Sequence, residues 1–296
     1  MTRAPLFGCI EAGGTKFMLG VARDCDTILD TVRIPTSTPD VTLRDALAFF
    51  VNASNQWGSF DAFGIASFGP VDLDRLSSSW GRITDTPKAG WTGVDLVGPV
   101  GNAFDCPVGF DTDVNGAILA ESLWGAAVGA DIAVYVTVGT GIGGGALVEE
   151  RLVHGARHPE MGHMLPRRHA LDLEFPGICP YHGCCLEGLS SGPAIMARWR
   201  HSLSELPQDH PAHEIIAYYL AQMIVAQQAF LSPRRVVLGG GVMATPGLIE
   251  RVRTQTSILG GGYFGSVDFD GLIVEPALGD RAGLLGALAL AQRARR

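Results

Sequence analysis

Three residues with two others between each neighbouring pair, Cys179, His182 and Cys185, form a compact set of metal ligands, and His163 lies upstream of them. Two thiolates and two imidazoles make a closed tetrahedral zinc shell, and this spacing lets both ends of a turn reach one ion. A full shell leaves no position for a reactive water, so such a metal would shape a site and not carry out chemistry. His158 and His169 are further candidates for the fourth place, and Cys184, adjacent to Cys185, reads as a bystander thiol. Asp111-Thr112-Asp113-Val114-Asn115 follows the apolar run Val108–Phe110 and opens a helical pattern. A carboxylate at the carboxyl end of a strand can accept a proton from a substrate hydroxyl, whereas helix capping is the plainer role for one of the two. Glu160, His163 and Glu187 are polar groups tied to the metal loop, the kind of set that pairs the hydroxyls of a sugar.

Glycine clusters supply a second chemistry. Glu11-Ala12-Gly13-Gly14-Thr15-Lys16 lies between two β-type runs, where bare glycines let backbone N–H groups approach an anion and Thr15 and Lys16 add a hydroxyl and a charge. It is not a Walker A loop, since Lys16 leads into a strand-like Phe17-Met18-Leu19 and not into a helix. Gly139-Thr140-Gly141-Ile142-Gly143-Gly144 has the form G-x-G-x-x-G, but the segment up to Gly155 is too short and glycine-bounded for the helix a dinucleotide fingerprint requires. A second strand–glycine–strand grip fits better, and two such loops could pinch a polyphosphate. Gly239-Gly240-Gly241 follows the strand Arg235–Leu238, a turn that suits either a tight connection or a flat surface for a nucleoside.

These residues must be positioned by strands alternating with helices, which argues an α/β architecture. Strands are expected at Leu6–Ile10, Lys16–Ala22, Ala62–Phe68, Val108–Phe110, Ile132–Val138, Gly144–Val148, Arg235–Leu238 and Leu272–Val274. Helices are expected at Leu43–Val51, Val94–Phe104, Asn115–Leu123, Ala194–Leu203, Glu214–Leu231, Pro246–Thr254 and Ala282–Arg293. Pro166–Tyr181 has no periodicity and reads as an inserted loop. The repeat of the hairpin–glycine unit predicts a duplicated fold, with lobes over 1–113 and 114–281, a zinc-stapled loop over 159–187 and the last helix (282–296) joining the first lobe. The 296 residues can bury a sizeable core, and a net charge of −8 without basic clusters excludes a nucleic-acid partner. No signal peptide opens the chain and no apolar run is long enough to span a membrane, so a cytoplasmic protein is expected. Six cysteines, three of them close together, fit a reducing compartment.

The chain resembles the ROK sugar kinases of the sugar kinase/Hsp70/actin superfamily, and most of all their bacterial fructokinase branch. The matching stretches are EAGGTKF (11–17), SFGPV (67–71), GRITDTPKAGW (81–91), DTDVNG (111–116), VGTGIGGG (138–145), PEMGHM (159–164), CPYHGCCLEGLSSG (179–192) and LGGGVM (238–243), in the expected order along nearly the whole chain. The resemblance implies a two-lobed actin/hexokinase-like, ribonuclease H-like ATPase fold with a central cleft that closes on sugar and ATP. It implies phosphorylation of fructose at its C6 hydroxyl, with Asp113 as general base. Gly69, Thr112, Asp113, Glu160, His163 and Glu187 would hold the sugar. Gly13, Gly14, Thr15, Lys16, Gly139, Thr140 and Gly141 would line the phosphates, and Pro193, Gly239, Gly240, Gly241, Val242 and Met243 would face the adenosine. Mg²⁺ would arrive with ATP, zinc would be held by His163, Cys179, His182 and Cys185, and the protein would be a homodimer.

Three departures bear on substrate choice. Glu11 stands where the family commonly has Asp, Thr112 where glucose-using members often have Asn, and the metal motif is Cys-x2-His-x2-Cys in place of the Cys-x-Cys-x4-Cys of many glucokinases. The last two favour fructose and leave glucose, mannose and N-acetylmannosamine as alternatives. A sugar-sensing regulator of the same family would carry a helix-turn-helix, for which Met1–Pro5 leaves no room.

Overall fold

Apolar alternation on both sides of Gly13-Gly14 folds as a hairpin of β1 (Phe7–Ala12) and β2 (Lys16–Ala22), with Ala12 opposite Phe17. The computed structural model describes residues 3–265 and 267–296; the first two residues of the Met1–Pro5 stretch lie outside the described residues. A further strand, β3 (Ile28–Pro35), pairs with β2 at the sheet edge. Its side chains are half or fully exposed; Leu29, Val32 and Ile34 pack against the core of this unit while Asp30, Thr31 and Arg33 stay exposed, an alternation of only a few residues. Helix α1 (Pro39–Trp57) starts with Pro39 in its first turn and buries Thr42, Ala46, Phe50 and Ala53 at intervals of three and four. Strand β4 (Ala62–Ser67) is buried throughout and pairs parallel with β1. Helix α2 (Gly98–Phe104) is shorter than the apolar pattern from Val94 predicts, because Asp95 Oδ1 accepts the Val97 and Gly98 N–H groups and holds that stretch as a turn. Strand β5 (Val108–Thr112) pairs parallel with β4, setting Thr112 opposite Ser67, and runs directly into α3 (Asp113–Trp124).

The sheet order is β3-β2-β1-β4-β5. Phe50, Phe60, Phe63 and Phe104 stack edge-on and tilted on one side of it, around ring separations of 4.6–6.3 Å. On this sheet lies the C-terminal helix (Ala282–Ala294). Its approach is backbone to backbone: a Cβ on Gly64 would sit 1.8 Å from the Ala287 carbonyl oxygen, and one on Gly286 2.5 Å from the Gly116 carbonyl carbon in α3. The first compact unit therefore comprises Met1–Trp124, His154–His158 and Leu278–Arg296.

The second unit, Gly125–Val153 with Pro159–Ala277, repeats the strand plan. Strands β6 (Ile132–Val138) and β7 (Ile142–Val148) form a hairpin around the second glycine cluster, and β8 (Arg151–Leu152) extends it antiparallel. Helices α4 (Leu186–Ser190), α5 (Gly192–Trp199) and α6 (Ala212–Phe230) follow; then come β9 (Arg235–Gly239), α7 (Leu248–Gly260), α8 (Phe269–Leu272) and β10 (Ile273–Val274). The start of α7 is set by Gly247 at φ +75°, later than the Pro246 start expected from Thr245-Pro246. The order β10-β9-β6-β7-β8 mirrors the first sheet, three antiparallel strands followed by two parallel ones.

Pro166–Tyr181 holds itself without periodicity. Asp172, in a short 3-10 turn, takes an Arg198 N–H at 2.7 Å and the Tyr219 hydroxyl at 2.8 Å, all three groups being buried. The Arg198 guanidinium also lies 4.2 Å over the Phe175 ring and 4.4 Å over Trp199.

Candidate functional site

The first unit presents three turns at the carboxyl ends of its strands. After β1, the Gly13 N–H donates to the Lys16 carbonyl (2.9 Å) and the Thr36 hydroxyl to the Gly13 carbonyl (2.7 Å), which leaves Gly14 and Thr15 exposed at the tip. Glu11 precedes this turn, and its carboxylate lies against Gly283 in the first turn of the C-terminal helix, where a Cβ would meet it at 2.2 Å. Burial raises the Glu11 carboxyl above its usual range, opposed by Lys16 and reinforced by Asp113 and Asp280. After β4 comes Gly69, covered by His158, whose Nε2 accepts the Val71 N–H at 3.1 Å.

The turn after β5 carries the carboxylates. Thr112, not Asp, caps α3: its hydroxyl oxygen accepts the Asn115 N–H at 3.2 Å. Asp111 is buried and accepts the Thr112 N–H (2.8 Å) and the Asn115 side-chain amide (2.7 Å). His154 closes on it, Nε2 standing 2.9 Å from Oδ2, and this hydrogen bond raises the imidazole above its ordinary value against the opposing effect of burial. Among the described residues Asp113 has no such imidazole partner. One of its oxygens accepts the Val114 N–H at 2.8 Å, and burial pushes its carboxyl up to about 6 despite that bond. A carboxylate so placed is largely ionised at neutral pH and basic enough to share a proton.

In the second unit three turns meet. Gly192 N–H donates to the Gly139 carbonyl (2.8 Å), and Val242 N–H donates to the Val138 carbonyl (3.0 Å). Gly139, Thr140, Gly141, Pro193 and Gly239–Met243 are thereby gathered at the ends of β6 and β9, with Thr140, Pro193, Gly240 and Gly241 exposed. Gly240, at φ +94°, passes so close to β6 that a Cβ would lie 2.5 Å from the Val138 carbonyl oxygen. Glu187 joins the same group: one oxygen accepts the Ile142 N–H at 2.8 Å, and it would stand 2.7 Å from a Cβ on Gly141.

The ligand atoms of His163, Cys179, His182 and Cys185 all lie within 4.8 Å of one another. Cys179 Sγ is 3.8 Å from His163 Nδ1 and 3.7 Å from His182 Nδ1, and Cys185 Sγ is 3.6 Å from His163 Nδ1. A tetrahedral zinc with ordinary bond lengths requires sulfur–nitrogen edges of about 3.6 Å, so both the donor set and its spacing fit that ion. The other candidates for the fourth place are committed elsewhere: His169 Nδ1 accepts the Leu171 N–H, and His158 accepts from Val71. Cys184 is outside the cluster. Glu160 is exposed, and its carbonyl accepts the His163 N–H at 3.0 Å.

Gly13–Lys16, Gly69 and Thr112-Asp113 are thus carried by the first unit, and the other site candidates by the second. Sequence reasoning missed His154 and its bond to Asp111. The two lie in distant segments, and nothing in the local pattern around His154 marks it.

The ROK family model matches residues 7–294. The fructokinase of Zymomonas mobilis is 53% identical over 289 residues, covering 97% of this chain and 96% of that protein. The fructokinase of Streptococcus mutans is 38% identical, covering 97% and 98% respectively. Among solved structures, the ROK hexokinase of Thermus thermophilus superposes with a TM-score of 0.78 at 27% identity, covering 97% of this chain and 98% of that one. With its two five-stranded sheets, its glycine turns and this match over nearly its whole length, the chain belongs to the ROK family.

Proposed function

We propose that this chain is an ATP-dependent fructokinase with Asp113 as its general base. The supporting observation is the half-buried Asp113 at the start of α3, its carboxyl raised to about 6 and its partner-rich neighbour Asp111 already engaged. In the reaction Asp113 takes the proton of the fructose C6 hydroxyl as that oxygen bonds to the γ-phosphorus. The bond from the γ-phosphorus to the bridging oxygen breaks, and ADP leaves with that oxygen. Mg²⁺ carried in with ATP would neutralise the phosphate charge.

The turns at Gly13-Gly14 and Gly139–Gly141, closed by the Gly13 N–H on the Lys16 carbonyl and the Gly139 N–H on the Gly141 carbonyl, line the phosphates in this reading, with Thr15, Lys16 and Thr140. Pro193 and Gly239–Met243 give the adenosine a flat backbone to lie on. Gly69, Thr112, Glu160, His163 and Glu187 orient the sugar; Glu187, with one oxygen on Ile142, keeps acceptor capacity at the other. Zinc on His163, Cys179, His182 and Cys185 would hold this loop in place, its shell closed. Unpaired cysteines fit a reducing cytoplasm, and among the described residues no helix is long and apolar enough to cross a membrane. The homodimer rests on family resemblance, and sedimentation at micromolar protein tests it.

Coupled ADP release is measured with fructose, mannose, glucose and N-acetylmannosamine, in the presence of Mg²⁺. Fructose is expected to give the highest kcat/KM. A higher value for glucose or N-acetylmannosamine reassigns the substrate, and absence of sugar-stimulated ADP release removes the kinase reading in favour of a sensor.

A further inference from the structure

Between β8 and Pro159 the chain enters the first unit for the short segment His154–His158 and then leaves it. Each end of that segment is fixed by an imidazole. His154 Nε2 stands 2.9 Å from Asp111 Oδ2, and His158 Nε2 accepts the Val71 N–H at 3.1 Å while its ring covers Gly69 at 3.3 Å from where a Cβ would be. Asp111 ends β5 and Gly69 follows β4, and these strands are parallel neighbours with Ser67 opposite Thr112. The segment is therefore a strap across the ends of two adjacent strands.

Among the described residues the hydrogen bond that orients Asp113 comes from backbone, the Val114 N–H, so any rotation of this turn moves its carboxylate. The turn is held by Asp111, which ties the Thr112 N–H on one side of Asp113 to the Asn115 amide on the other. Asn115 is buried, and its Oδ1 finds no hydrogen-bond partner among the described residues, so its side chain is held by its donor end only, on Asp111 and beside His154. His154 supplies the remaining donor to Asp111. We infer that His154 is a positioning residue for phosphoryl transfer, acting through Asp111 to fix the turn that carries Asp113. This rests on Asp113 being the base.

The test measures kcat, KM for fructose and ATP, and thermal melting of the full-length protein. His154→Leu removes the donor; His154→Gln places an amide N–H near the position of Nε2. With a misplacement on the scale of an ångström able to cost about 100-fold, His154→Leu is expected to lower kcat by about 10- to 100-fold and leave KM for ATP within about twofold. His154→Gln should return kcat to within about threefold of the parent. In an Asp113→Asn background, His154→Leu should change the residual turnover by less than about twofold, because the group it positions is gone. A folded His154→Leu protein with parental kcat overturns the inference, as does a loss that persists in the Asp113→Asn background. If the leucine protein does not fold, His154→Asn, whose shorter arm cannot reach Asp111, takes its place against His154→Gln. Asp113→Asn alone tests the underlying reading: near-parental turnover there dismisses the base assignment, whatever His154 does.

Discussion

Replacing Asp113 by asparagine should make the protein more stable while it destroys turnover. The carboxyl is raised from 3.8 to about 6 in the folded protein, chiefly by burial. The native state therefore holds the proton more tightly than the unfolded chain, and ionising the group costs native stability. That cost is absent well below pH 4, grows as pH rises from 4 to 6, and is complete above about 6. At about 1.4 kcal/mol per pH unit, the shift corresponds to about 3 kcal/mol at pH 7. The amide oxygen of the Asp113→Asn side chain can still accept the Val114 N–H that the carboxylate accepts now, so the substitution removes the charge and keeps the bond. Urea unfolding of both proteins should give the variant an advantage approaching about 3 kcal/mol at pH 7 and below about 1 kcal/mol at pH 4. Over the same range kcat of the parent should fall as pH drops below about 6, and the variant should lose about 100- to 10,000-fold at neutral pH. A variant less stable than its parent at pH 7, or one whose advantage does not shrink on acidification, would refute the argument that a desolvated charge sits at this position.

Other features of the fold lead to separate outcomes. Elemental analysis should find one zinc per chain, lost in Cys179→Ser and Cys185→Ser, and chelation should lower Tm because metal binding contributes to the folding of the loop. Arg198→Leu takes the guanidinium from the buried Asp172 carboxylate and leaves it the Tyr219 hydroxyl and the nearby charge of Arg168, which should cost up to about 3–5 kcal/mol in urea unfolding. Gly64→Ala places a methyl against the Ala287 carbonyl, so the C-terminal helix should dock poorly and become cleavable by trypsin at Arg293, within the helix, under native conditions.

The sequence made the metal cluster and the glycine turns legible because their chemistry is local: a thiol, an imidazole and a thiol in one turn, or glycines at the end of an apolar run. Alternating strands and helices likewise disclosed the α/β architecture. The sequence placed His163 ahead of His158 and His169, and the fold supplies the physical reason, since the latter two accept backbone N–H groups. Strand β3 escaped notice because its apolar alternation, Val32 and Ile34 against exposed Arg33 and Pro35, is too short to single out an edge strand. The cap of α3 fell to Thr112 because the helix begins at Asp113, earlier than the Asn115 start expected, and Asp111 pairs with His154, a partner whose distance along the chain hides the pairing from any local pattern.

The glycine-to-glycine seating of residues 278–296 on β4 and α3 has a consequence for biogenesis. On the ribosome, every residue of the second unit is made before this helix emerges, so that unit can mature while the nascent chain is still growing. The first unit, although it begins earlier, must wait with an open apolar face until the final helix clears the exit tunnel. The half whose synthesis starts first is thus the last to close.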